Sequence, residues 1–491
     1  MAAYIAILIT WMIGFIALGT VWPHSRSIKQ DLLLIASLGI GFGFGITSFF
    51  YFFTSLILNN TRLAISIEET ILVITCSYYL FHRMRKSETA KDFNITLDKS
   101  IYAILVSIFI QACVVTGSSI AKFYKLNPWG DWDGWAIWNL HAKFIITGGK
   151  TWATLLHNPA LGWSHPDYPL LIPLSVARIW SLIGTVNPLG SQLVAASFAI
   201  GSLGLLISVV TLYKNKLLGL IVGAVLLGTP SFIRLTAAQC ADIPLGYFIL
   251  AAVSLILLSQ LDHKSDLSLQ LLASVFTGFA AWTKNEGMLF TLVVVCSWIA
   301  LNLRRKRIMK SLPLLTGLLI TLVPLLIFKL FLAAQNDLTS SHFLSRLSSL
   351  WNINRHITIL TYLKVIILKF GEWSIIPFYL MGLALIGKEW RELKDNYALA
   401  VSIILLMLAG YYIVYLLTPL DLVYHLSTSF NRLLLQLWPT LILIWGMSCG
   451  YSSKSILPII PLYTKTVHPV LVLSIFTLIN TSVAVLIIYL I

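Results

Sequence analysis

Charge is what this chain of 491 residues has least of: 11% of its residues are charged and only 19 are acidic. Soluble proteins carry roughly a quarter charged residues, so a water-facing surface of ordinary size is excluded. No polar stretch between the apolar runs is long enough for a soluble domain. Cysteine is scarce as well. Cys76, Cys113, Cys240, Cys296 and Cys449 lie in or beside apolar runs without CxxC spacing, which reads as small buried thiols, with no disulfide framework and no thiolate zinc site. No Walker loop and no GxGxxG opening a βαβ unit occurs, so a nucleotide-using cytoplasmic domain is not expected. A GxSxG nucleophile elbow is also missing.

What is present is apolar: 58% of the residues are hydrophobic. Runs of about 20 apolar residues, each able to cross hydrocarbon, recur along the sequence. The formal charge of +15 does not point to nucleic acid, because Lys and Arg collect in short loops such as Arg304-Arg305-Lys306-Arg307 and Arg83-Met84-Arg85-Lys86. Short basic loops are orientation signals read by the positive-inside rule. The first segment, Ala2 to Thr20, lacks a basic leader and a small-residue cleavage site, so a retained span is expected.

Placing the basic loops inside predicts an all-α polytopic membrane protein of about fourteen spans: 3–20, 31–57, 63–81, 100–121, 189–212, 217–230, 243–260, 269–283, 288–303, 311–333, 373–388, 396–417, 433–450 and 469–490. Residues 1–99 form an N-terminal unit of three spans and a basic cytoplasmic loop. Residues 100–333 form a core with a first outer loop at 122–188, and 334–491 carry a second outer loop and four spans. Within the first loop, 169–186 is apolar but interrupted by Pro169, Pro173 and Arg178, and is expected to lie in the outer interface, as is 357–370 with Lys364 and Lys369.

This topology gathers the scarce acids on the outer side. Asn127-Pro-Trp-Gly-Asp131-Trp-Asp133-Gly-Trp135-Ala-Ile-Trp138 sets two carboxylates among tryptophans at every third position. Tryptophans gather at lipid–water interfaces, and flat rings beside a carboxylate also suit a sugar. Carboxylates at a membrane rim are costly unless they pair, bind metal or do chemistry. A carboxylate in a partly dry pocket can act as general base; capping a helix near Trp135 is the alternative. Asp242, in Asp242-Ile243-Pro244, is a second acid at the same face, or an ordinary helix start. With His165 it is a candidate ligand for a divalent ion. His165-Pro166-Asp167-Tyr168-Pro169 reads as a substrate-binding loop or a turn held by prolines. Lys284, Glu286, His425 and Arg432 are candidates for meeting a phosphate, Arg through its rigid fork, with snorkelling the alternative for the cations. The Gly39-Ile-Gly-Phe-Gly-Phe-Gly45 run reads as close helix packing.

Together these residues resemble the GT-C superfamily of integral-membrane glycosyltransferases, in the bacterial branch related to protein O-mannosyltransferases and lipid A aminoarabinose transferases. The resemblance covers about residues 130–290, with an echo near 418–440. Asp133 matches the family's catalytic Asp at the start of the first outer loop, and His165-Pro-Asp-Tyr-Pro-Leu170 resembles its proline-rich entry to a juxtamembrane helix. Thr229-Pro230 through Asp242-Ile-Pro-Leu245 resembles the second acidic motif, and Thr283-Lys284 the lysine closing a later span. Asp133-Gly134 replaces the usual Asp-Glu pair, Asp167 stands where a Lys is usual, and three spans precede the family's first helix. The resemblance implies a GT-C-like bundle and a sugar donor carried on a polyprenyl phosphate. It implies transfer outside the cytoplasm with inversion, with Asp133 as base and Asp242 in the second acidic motif; Asp131 is a catalytic candidate by its place two residues before Asp133, a spacing at which only one of the two side chains is expected to enter the site. Trp135, Trp138, His165, Asp167, Tyr168, Lys284, Glu286, His425 and Arg432 would bind substrate. The setting would be the cell envelope, in a bacterial inner membrane, with the site facing the periplasm or exterior. A polysaccharide polymerase or ligase, with chemistry on outer Arg and His, and a lipid-linked sugar transporter are the alternatives.

Overall fold

In a computed structural model of the chain, residues 1–58, 61–85, 99–262, 266–306, 308–335, 346–372 and 397–449 are described. Among them 86% are helical and no strand occurs, so the all-α expectation holds. The helices are α1 (Ala2–Val21), α2 (Leu32–Ile57), α3 (Thr61–Arg85), α4 (Lys99–Leu126), α5 (Leu140–Thr147), α6 (Trp152–Leu155), α7 (Leu171–Ile183), α8 (Pro188–Tyr213), α9 (Lys216–Leu227), α10 (Pro230–Ala237), α11 (Asp242–Leu261), α12 (Asp266–Thr283), α13 (Asn285–Arg304), α14 (Leu312–Thr321), α15 (Val323–Ile327), α16 (Ile353–Lys369), α17 (Ala398–Leu417) and α18 (Leu422–Ser448).

Seven described helices are long and apolar enough to cross a membrane, or nine if two bent pairs each count as one span. A multi-pass membrane protein follows; about fourteen spans does not follow from the described residues, and the expected spans 373–388 and 469–490 fall outside them. The expected span 217–230 is α9, which stops at Leu227, and a second helix that was not expected, α10, starts at Pro230 with a 63° bend, because Pro restricts the residue before it and cannot continue an upstream hydrogen-bond ladder. The expected span 311–333 bends by 50° beside Pro324 for the same reason. α7, expected in the outer interface, packs into the protein: eleven of its thirteen residues are buried. Its interrupting Arg178 finds partners there, donating through Nε to Glu69 (2.5 Å) and through Nη1 to Thr10 (2.8 Å).

α11 is the spine. Its apolar window is wholly buried, and one continuous apolar core around it runs from Ala6 to Cys449. The glycine run of α2 makes this possible. A Cβ on Gly39 or Gly43 would strike the backbone of α1, and one on Gly41 would strike the Tyr247 ring of α11. Tyr247 then donates its hydroxyl to the Ser37 and Leu38 carbonyls and accepts from the Gly41 N–H, so the close-packing reading holds. All five cysteines are free; Cys240 and Cys449 are buried, whereas Cys296 is exposed on α13.

Past the last residue of α11, Arg26 gathers four helix ends. It grips Asp31 with two bonds of 2.7 Å, Tyr213 at 2.8 Å and Asp262 at 3.1 Å, while the Trp22 indole donates to Asp31 at 3.0 Å. Asp242 opens α11 at its other end, 20 residues away. At about 1.5 Å per residue the two ends stand about 30 Å apart, roughly a hydrocarbon thickness.

Candidate functional site

The Asn127–Asp133 turn is held by backbone contact with the strained segment before α11. Gly130 has φ +80°, and a Cβ on Gly130 or on Gly134 would collide with the Ala238 carbonyl, to which the Asp131 N–H donates (3.2 Å). Side-chain amides fix the turn: Gln192 and Gln239 donate to the Pro128 carbonyl at 2.9 and 3.0 Å, and Asn139 donates to the Trp129 carbonyl and to Gln239, both at 3.1 Å. Gln239 adopts a left-handed φ of 59°, uncommon outside glycine and concentrated where surrounding structure over-determines it. A π-helical stretch, Gly134–Asn139, follows Asp133, and the Asp133 side chain makes no capping bond to it. The capping alternative is therefore not realised.

Asp133 turns instead to Arg432. One guanidinium nitrogen, Nη2, donates to Asp133 (2.5 Å) and to Asp242 (2.7 Å), and Nε also reaches Asp242 (3.1 Å). The other oxygen of Asp242 accepts from Lys284 (3.0 Å) and Gln436 (2.6 Å). Lys284 continues the chain to Glu286 (2.9 Å), whose second oxygen is buried without a hydrogen-bond partner. Asp242 and Lys284 are almost fully buried, while Asp133 and Arg432 keep about a fifth of their side-chain surface. Burial opposes the charge of Lys284, yet Asp242 and Glu286 outweigh it and hold its pKa well above the ordinary lysine value. Five candidate residues thus converge from the first outer segment, the start of α11, the junction of α12 with the first turn of α13, and the interior of α18.

An aromatic column flanks the ions. Tyr168 stacks with Trp138 (5.6 Å between centroids, 20° between planes) and with His165 (4.8 Å, 12°), and the Lys284 ammonium lies 6.0 Å from its ring centre. Burial, then the charge of Glu286, raises the Tyr168 phenol above its usual range. His165 has a left-handed φ of 51°. His425 bonds Thr418 at 2.9 Å, and burial pulls its imidazole below the ordinary value. His141 is buried against Ser164 (3.2 Å), and burial followed by repulsion from His165 lowers it to about 3.

Three candidates stand apart from the ion cluster. Asp167 bonds Asn285 (2.7 Å) and faces Lys329 (3.8 Å). Trp135 is exposed. Asp131 is exposed, with its pKa raised by partial burial against the opposing charge of Arg234. Sequence reading passed over Gln436, Tyr411, Asn285 and Lys329. Gln436 lies one turn after Arg432 on the same helix face and is fully buried, accepting from Tyr411 (2.8 Å); a lone amide in an apolar run was the available signal. The expected pairing of Asp242 with His165 around a divalent ion would have to displace cations, because both oxygens of Asp242 face Arg432 and Lys284. Comparison of the chain with family models, curated proteins and solved structures yields no match.

Proposed function

We propose that the chain is a multi-pass membrane glycosyltransferase of the GT-C type. It would move a sugar from a polyprenyl phosphate to a lipid, glycan or protein acceptor at the extracytoplasmic face of a bacterial cell membrane. The observation that carries this reading is the single Arg432 guanidinium shared by Asp133 and Asp242, with Lys284 on the far side of Asp242. A partly exposed carboxylate and two cations then share one ion cluster beside the start of α11. A phosphodiester oxygen competes for Arg432 and Lys284, because guanidinium and ammonium groups bind phosphate oxygens through charge-assisted hydrogen bonds. Withdrawal of Arg432 frees Asp133 to accept a proton.

In the reaction, the acceptor hydroxyl oxygen forms a bond to the anomeric carbon while the bond from that carbon to the phosphate oxygen breaks. The electron pair leaves with polyprenyl phosphate, Arg432 and Lys284 stabilise the charge that develops there, and the hydroxyl proton passes to Asp133. Asp242 positions both cations. A transporter tends to hold its charged site near the midplane between repeated halves, whereas Asp242 is the first residue of α11 and Lys284 directly precedes α13. The test is transfer from a synthetic polyprenyl-phosphate sugar by the purified protein in nanodiscs. Asp133→Asn should lower the rate about 10²–10⁴-fold, the worth of general acid–base catalysis, at unchanged expression. Wild-type transfer by that variant removes Asp133 as base and favours a polymerase or ligase working through Arg and His.

A further inference from the structure

The reading above leaves the acceptor's class open, and it leaves an aromatic patch unused. Trp132, Trp135 and Trp163 are 58%, 44% and 46% exposed. Trp132 packs on Trp135 (4.8 Å, 75°) and on Trp163 (5.9 Å, 51°). Trp163 belongs to the separate 3-10 turn Pro159–Ser164, so folding assembles the patch. No indole N–H in it has a hydrogen-bond partner among the described residues. Asp131, beside Trp132 in sequence, is also exposed, and its carboxylate has neither hydrogen bond nor ion pair there. Arg234, the cation that acts on Asp131 electrostatically, is committed to Glu372 at 2.8 Å.

Two partners suit exposed tryptophans at a membrane rim. One is the lipid headgroup layer, which collects Trp, but anionic headgroups repel a carboxylate whose nearby cations, Arg234 and Arg432, are already paired with other acids. The other is a saccharide. A sugar ring offers a C–H face that lies against an indole, and a hydroxyl edge that donates to a carboxylate and accepts from N–H groups. The patch supplies all three complements. The neighbouring Asp133 faces inward to Arg432, while Asp131 stays outside the ion cluster, so the two carboxylates serve different sides of one turn.

We infer that Trp132, Trp135, Trp163 and Asp131 form an acceptor platform, and that the acceptor is a saccharide whose rings lie on these indoles. This rests on the transferase reading. The experiment therefore measures binding, separately from transfer, using the full chain in nanodiscs and a glycan array of lipid-free oligosaccharides, with tryptophan emission as a second signal. Wild-type protein should capture a subset of the glycans. Trp132→Ala combined with Trp163→Ala should weaken capture about tenfold or more, the scale of losing one or two aromatic contacts. Trp132→Phe should retain most of it, and Asp131→Asn should weaken it severalfold. Because these side chains are exposed, folding is little affected, which the melting temperature checks. No captured glycan overturns the inference, as does capture indifferent to the double variant. So does quenching of the patch's emission by brominated lipids but not by soluble iodide. Asp133→Asn separates the two readings: lost transfer with intact glycan capture supports both, normal transfer by that variant alongside Trp-dependent capture removes Asp133 as base and leaves the platform standing, and no transfer even by the wild type alongside Trp-dependent capture overturns the transferase reading and leaves a saccharide-binding surface.

Discussion

The two ends of α11 carry buried ion networks made from the same residue types in different ways. At the Arg26 end each cation–anion contact closes a loop. Asp31 is 2% exposed and takes two guanidinium bonds and an indole N–H, and Arg26 reaches three acceptors on separate segments. At the Arg432 end one nitrogen is shared between two carboxylates, a Glu286 oxygen is buried without a partner, and Asp133 keeps solvent access. A saturated network fastens helices. A network with unused hydrogen-bonding capacity can exchange partners, and such capacity in a buried site is costly unless it has a role.

That contrast can be broken experimentally. Of the two arginines, the larger effect on transfer is expected from Arg432→Lys, which keeps the charge but loses the rigid fork that sets Nε and Nη2 together on Asp242 while Nη2 reaches Asp133. Transfer should fall about 10²–10³-fold, the range for removing one electrostatic stabiliser of a transition state, as measured by single-turnover assay in nanodiscs. The opposite outcome belongs to Arg26→Ala. It strands Asp31 in the core and should cost about 3–5 kcal/mol, the price of an unpaired buried charge, seen as a lower melting temperature, while the transfer rate per folded molecule holds. Equal effects of both substitutions in both assays would erase the distinction between a working end and a fastening end.

A smaller effect sharpens it. Gly130→Ala must place a Cβ against the Ala238 carbonyl at a φ of +80°, at about 1–3 kcal/mol. Because that turn aims Asp133, transfer should fall together with stability, and a stable, fully active variant would show that the turn does not position the carboxylate. The smallest concerns acid. His141 has a folded pKa of about 3, below an unfolded value of about 6.5. Between these pH values the unfolded chain binds a proton that the folded chain refuses, so stability declines as pH drops through that window. His141→Gln should flatten the melting-temperature decline between pH 6.5 and 4; an unchanged slope assigns it to other groups.

Much of this was legible beforehand. Low charge and recurrent apolar runs predicted the helical, membrane-spanning class, and the rarity of acids singled out Asp133 and Asp242, which the fold brings onto one guanidinium. The prolines at 230 and 324 carried the information that their spans break, but hydropathy counting averages over a single ring. Arg178 reads only as an interruption of the apolar stretch of α7, because its partner Glu69 lies 109 residues away. Gln436 and Lys329 escaped because an amide and a lone lysine raise no compositional alarm until their partners are seen.

Hydropathy is a sum over neighbours in the chain, so the sequence by itself determined the all-helical, multi-pass character and the kinds of side chain available for chemistry. Partnership is a property of packing. Asp133 and Arg432 stand 299 positions apart, and the two acids separated by a single tryptophan point to different surroundings. Only the tertiary structure, through glycines that let backbones touch and a buried spine that aligns helix ends, decided which carboxylate meets the cations and which stays free.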